Sequence, residues 1–142
     1  MERIKLVKTK FIPKDLEQGI LYVSLEYGTA CHLCPCGCGN KVVTPIGPTD
    51  WSFKEKKGEP SLYPSIGNWQ FPCRSHYWIE GGHIIWSYQW TEEQILTGRQ
   101  IEEKQRVEYY EKINQKERKF FFIQSILDRL SETYQRFLKH IK

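Results

Sequence analysis

No stretch of this chain is apolar for long enough to form a signal peptide or span a membrane, and charges already stand at Glu2, Arg3, Lys5, Lys8 and Lys10. The expectation is a protein that stays in the cytoplasm. An even complement of cysteines is also missing. There are 5, and four of them crowd between Cys31 and Cys38. An odd number without a leader argues against a secreted disulfide framework and for reduced thiols that hold a metal. Residues 1–98 lack net charge, with 10 Lys and Arg against 10 Asp and Glu, while residues 99–142 carry 11 against 7, a net +4. So mild an excess reads as a solvated helix face and makes a nucleic-acid partner a poor expectation. Repeats and low-complexity tracts are absent, and neither Pro nor Gly occurs after Gly98.

What is present fits one modest domain with a helical appendage. At 142 residues with 14% aromatics, Trp and Tyr must supply much of the interior, and that load argues against disorder. Residues 1–90 read as a mainly β unit of short antiparallel strands and residues 91–142 as a helical extension, an α+β fold. Gly19 to Tyr27, Lys41 to Pro45, Trp51 to Phe53 and Ser61 to Tyr63 are rich in β-branched and aromatic residues, with a polar loop expected from Lys54 to Pro60. Tyr77 to Ile79 and His83 to Tyr88 flank Glu80-Gly81-Gly82, a hairpin signal.

Thr91-Glu92-Glu93-Gln94 is a capping box that should open a helix, with Gly98 placed to end or kink it. Farther on, Phe120, Ile123, Leu127, Leu130, Tyr134, Phe137 and Ile141 recur at alternating spacings of three and four. The seam suits a helix that packs on the β unit or folds back on Ile101, Val107, Tyr110 and Ile113; self-association is the other reading.

The densest chemistry lies in Cys34-Pro35-Cys36-Gly37-Cys38-Gly39. Three thiols alternate with Pro and Gly, a pattern that neither a core nor an ordinary loop requires. Zinc prefers four soft ligands in a tetrahedron, and Cys73 is the only cysteine outside the cluster. Cys34, Cys36, Cys38 and Cys73 are therefore the expected ligands of a structural Zn2+, with Cys31 or His32 as possible replacements for one of them. Gly37 and Gly39 let the turn curl so that alternate side chains converge. Four thiolates would close the coordination sphere, leaving no open position for activating water.

Close to Cys73 lie Pro64-Ser65-Ile66-Gly67-Asn68-Trp69 and Cys73-Arg74-Ser75-His76. A serine nucleophile needs a constrained hydroxyl, a base in reach and amide donors for the oxyanion. Ser65 can supply the hydroxyl, amides near Gly67 the donors and His76 the base, with Asn68 orienting the imidazole or donating to the oxyanion. Ser75 adjoins His76, but neighbours on a strand point to opposite faces. His32 is the rival base, and no acidic third member is evident.

These motifs, with His32-Leu33 and Val42-Val43-Thr44-Pro45 before them and Tyr77-Trp78-Ile79 after, resemble a small domain family encoded in bacterial ubiquitination-like (Bub) operons, over about residues 11–90. The resemblance implies a deubiquitinase-like serine protease with a Ser-His dyad, in systems linked to antiphage defence. It implies a bacterial ubiquitin-like protein or its conjugates as substrate, and places the dyad on Ser65 and His76. Cys31 and the tail after residue 98 lie outside that pattern. The competing reading is a zinc-ribbon-like binding module in which Trp51, Trp69, Trp78 and Trp86 form a docking surface for protein or nucleic acid.

Overall fold

The computed structural model describes residues 2–140. The chain forms two compact units that divide after Gly98. In the first unit, strands β1 (Lys5–Lys8), β2 (Ile20–Ser24), β3 (Thr29–Leu33) and β4 (Lys41–Pro45) form one sheet in that order, β1 parallel to β2 and the others antiparallel. Strands β5 (Ser52–Lys56), β6 (Glu59–Gly67), β7 (His76–Glu80) and β8 (His83–Trp86) form a second sheet, antiparallel throughout. Helix α1 spans Glu92–His140. The α+β architecture of short, mostly antiparallel strands with a C-terminal helix is the one read from the sequence.

Alternation drives the packing. On β4, Val42 and Thr44 turn inward while Lys41, Val43 and Pro45 face out. Leu21 and Val23, Ala30, Val42, Leu62 and Ile66, Tyr77 and Ile79, and Ile84 meet in a single core with Ile4 and Cys34. Both sheets contribute to it. The amino-terminal segment also stitches them together: Ile4 donates to the Gly82 carbonyl at 2.9 Å and Ile84 to that of Glu2 at 2.9 Å, just before the chain enters β1.

Three features depart from the sequence reading. Strands β1 and β3 lack a clear strand signal, because Lys5–Lys8 is half charged and Thr29–Leu33 runs straight into the cysteine cluster. The polar segment after Phe53 is not a loop: β5 continues to Lys56 and β6 begins at Glu59, with Lys57 at φ 54° and Gly58 at φ 81° making a two-residue turn. Gly98 does not end α1. A Cβ there would lie 2.8 Å from Cζ3 of Trp90, so the glycine admits an indole.

At its start, α1 carries the expected capping box: Thr91 N donates to Gln94 Oε1 at 2.9 Å and Gln94 N to Thr91 Oγ1 at 3.2 Å. Because α1 is uninterrupted, its distal half does not fold back on Ile101 to Ile113. Phe120, Ile123, Leu127, Leu130 and Tyr134 of the seam are exposed. Ile141 and the side chain of Phe137 lie outside the described residues. Among the described residues no helix is long and apolar enough to cross a membrane.

Candidate functional site

Two loops, one from each sheet, build the site. The β3–β4 connection is a tight knuckle closed by Cys34 N donating to the Asn40 carbonyl at 2.8 Å and Gly37 N to the Cys34 carbonyl at 3.1 Å. Gly37 and Gly39 sit at φ 87° and 76°, where a side chain is strained, so the curl that converges the alternate thiols depends on them. The second loop, between β6 and β7, holds Cys73 and is closed by Asn68 N donating to the Ser75 carbonyl at 2.9 Å.

The loops meet thiol to thiol. Cys34 Sγ lies 3.3 Å from Cys36 Sγ and 4.0 Å from Cys73 Sγ, and Cys38 Sγ lies 3.7 Å from Cys73 Sγ. All four sulfurs fall within 4.8 Å of one another. A tetrahedron with Zn–S bonds of about 2.3 Å has edges of about 3.8 Å, so this donor set fits zinc, and none of the four is in a disulfide. The residues that converge are Cys34, Cys36, Cys38 and Cys73; Cys31 and His32 are not among them. Hydrogen bonding from the Asn40 backbone holds the exposed Cys38 thiol down at about 6, whereas burial pushes the Cys34 thiol up.

His32 is fully buried, with Nε2 2.7 Å from the Tyr77 hydroxyl, and burial lowers its pKa to about 4. It is a neutral core histidine. Ser75 Oγ faces Cys34 Sγ at 3.1 Å. The Asn68 amide donates to Ser75 Oγ at 2.8 Å and reaches toward the Tyr77 hydroxyl at 3.5 Å. In this arrangement Asn68 serves the thiol side of the loop, with no bond to the His76 ring.

On the opposite side of the same loop, Nε2 of His76 lies 3.0 Å from Ser65 Oγ. His76 opens β7 and is 3% exposed. Its Nδ1 lies 2.9 Å from the backbone carbonyl of Tyr88, which can only accept, so Nδ1 carries the proton and Nε2 presents a lone pair to the Ser65 hydroxyl. Ser65 reaches that position through an irregularity in β6. Leu62 pairs with Ile79 but Ile66 with Tyr77, so four steps on β6 match two on β7 and residues 63–65 leave the ladder.

Three indoles enclose the imidazole. Ring centroids of Trp69, Trp90 and Trp78 lie 5.0, 5.2 and 5.6 Å from that of His76, and Trp69 stacks on Trp90 at 5.6 Å. Trp69 in turn lies over Gly67, where a Cβ would meet its ring at 2.4 Å. These rings line one side of the imidazole and leave the Ser65 side to its hydroxyl contact. The Tyr88 carbonyl carries no sequence signal, since a main-chain acceptor has no residue signature. Trp90 was readable only as the residue before the capping box.

A small β domain with a clustered four-thiol knot and a serine hydroxyl aimed at an oriented imidazole is the class that fold and site define. The family model described as bacterial ubiquitination-like system serine protease (BubE) matches residues 8–87, more than half of the chain, and the chain belongs to that family. This agrees with the resemblance drawn from its motifs. No curated protein and no solved structure matches the chain.

Proposed function

We propose that this protein is a serine peptidase that cleaves a bacterial ubiquitin-like protein precursor, or its conjugates, through a Ser65–His76 dyad and an acyl-enzyme. The observation that carries the reading is the pair of bonds on one imidazole, Nε2 to Ser65 Oγ at 3.0 Å and Nδ1 to the Tyr88 carbonyl at 2.9 Å. His76 takes the Ser65 proton as Oγ attacks the carbonyl carbon of the scissile bond, then returns it to the leaving group; water afterwards releases the acyl group by the same route. The Tyr88 carbonyl holds the ring in the useful tautomer but, being neutral, stabilises imidazolium less than a carboxylate would.

Oxyanion donors come from β6. Asn68–Ser75 is a bonded pair of the antiparallel ladder, so the next pair, Gly67–His76, is a non-bonded one and the Gly67 amide points away from β7. That amide is free to face the developing charge beside Ser65.

Cys34, Cys36, Cys38 and Cys73 would hold a structural zinc, which supplies cross-linking of the two loops and no chemistry at the bond cleaved. In this reading the protein works in the cytoplasm, within a ubiquitin-like conjugation system of the kind the motif resemblance links to antiphage defence. The binding-module reading is less well supported, because Trp69 and Trp78 pack on His76 and Trp51 packs against the core.

The test incubates the protein with a fusion of its cognate ubiquitin-like precursor, alongside Ser65→Ala and His76→Ala. Cleavage by the wild type alone is expected. Equal cleavage by all three would reject the dyad, and none by the wild type would favour a binding role.

A further inference from the structure

Between the thiol knot and the Ser65–His76 pair lies a buried run of polar side chains that ends on Cys34. Asn68 is 2% exposed, Ser75 6%, and Cys34 0%. The Asn68 amide nitrogen can only donate, and it does so to Ser75 Oγ at 2.8 Å. The Ser75 hydroxyl, having accepted, has its own proton free for Cys34 Sγ at 3.1 Å. Asn68 Nδ2 also lies 3.9 Å from the same sulfur. The run from Asn68 through Ser75 therefore ends on Cys34. Hydrogen bonds from a second layer of residues onto a ligand atom fix where that atom sits and so tune the affinity of a metal site.

The same two residues frame the loop that carries Cys73. Their main chains pair at 2.9 Å, Asn68 N to Ser75 O, directly beside the Gly67–His76 pair. His76 follows Ser75, and Ser65 precedes Asn68 by three residues. Any loosening of the Asn68–Ser75 closure moves both members of the Ser65–His76 pair.

We infer that Asn68 and Ser75 are positioning residues: they form the outer hydrogen-bonded shell of the metal site through Cys34, and they couple metal occupancy to the alignment of Ser65 with His76. The coupling half of this inference rests on the dyad reading above; the outer-shell half does not. The pair thus makes the hydrolase metal-dependent although the metal never meets the substrate. Tyr77, whose hydroxyl lies 2.7 Å from His32 Nε2 and 3.5 Å from Asn68 Nδ2, buttresses the amide from behind.

The experiment uses the full chain as wild type, Ser75→Ala, Ser75→Thr and Asn68→Ala. Zinc affinity is measured by competition with a chromophoric chelator, and Ser65 reactivity by labelling with a fluorophosphonate over a series of free zinc concentrations. Loss of an outer-shell partner is expected to weaken zinc by about 10- to 100-fold in Ser75→Ala and Asn68→Ala, with Ser75→Thr close to wild type because its hydroxyl is kept. Labelling of the two alanine variants should require correspondingly more zinc and recover at saturation. Unchanged zinc affinity in both alanine variants overturns the outer-shell role. Labelling that stays low at saturating zinc overturns the coupling and leaves Ser75 and Asn68 with a merely structural part. If Ser75→Ala does not fold, Asn68→Ala and Ser75→Thr carry the comparison. If the wild type itself fails to label while zinc affinities shift as expected, the dyad reading falls and the outer shell stands.

Discussion

His76 and Tyr88 are joined by a hydrogen bond from a ring nitrogen to a main-chain oxygen at 2.9 Å, across twelve residues that include the whole β7–β8 hairpin. The hairpin brings the Tyr88 carbonyl back beside the strand start that holds the imidazole, and Ser87 N donates to the His76 carbonyl at 2.8 Å to fix the return. Orientation of the imidazole is thus a property of backbone geometry.

Ser65→Ala and His76→Ala should each lower cleavage of a ubiquitin-like fusion by about a thousandfold or more, and the double variant should lose little beyond either single one, because the two act as a unit. Single-turnover cleavage rates check this. A double variant losing the product of both factors would argue for independent roles.

Trp90 presses on His76, stacks on Trp69 and seats against Gly98. Trp90→Ala should cost about 3 kcal/mol of stability from the half-buried ring and should slow fluorophosphonate labelling of Ser65 by about tenfold as the wall around the base opens. Thermal melts and labelling rates on the same sample separate the two effects.

Gly67→Ala places a methyl group where the Trp69 ring already lies, 2.4 Å from its nearest atom. Trp69 must move, and with it one wall of the His76 cage. We expect a loss of about 1–3 kcal/mol, as for other overpacked sites, and a fall in turnover. A variant with wild-type Tm and turnover would show that the ring has room to shift.

Metal analysis of the purified chain should give one zinc per molecule. The clasp joins two loops from separate sheets, and structural zinc contributes about 10–16 kcal/mol in small peptides, as much as the whole stability of an ordinary domain at about 5–15 kcal/mol. Chelation should therefore broaden or abolish cooperative unfolding, with restoration on adding zinc back. Well under one zinc per chain would sink the assignment.

Phe120, Ile123, Leu127, Leu130 and Tyr134 keep the three-four spacing of a coiled-coil seam on an uninterrupted helix and are 53–64% exposed. Self-association through this seam predicts concentration-dependent sedimentation that Leu127→Glu abolishes. A wild-type chain that sediments as a monomer throughout would reject it.

Much of the site was visible in the chain because its chemistry is carried by side chains. Three alternating thiols, the lone Cys73, and a serine and a histidine flanking it are residue types with definite chemical needs. Asn68 shows the limit of that reasoning. Its type fits an orienting role on the imidazole, yet its amide faces Ser75 and Tyr77, because the Asn68–Ser75 pair closes the loop with both side chains on the thiol side. His32 was a candidate ligand and base until the β3 ladder buried it against Tyr77.

By itself the sequence determined the kinds of group available and the local grammar: period-two strands, the Gly81-Gly82 hairpin, the capped helix and a thiol set suited to zinc. Periodicity and ligand preference act over a few residues, so they survive in one dimension. Only the tertiary structure decided which face of each loop met which neighbour. The two-step irregularity in β6 carried Ser65 to His76, and the β7–β8 return brought the Tyr88 carbonyl to Nδ1. Those contacts arise from ladder register and main-chain hydrogen bonds, which any side chains of the right shape would permit and which no residue letter records.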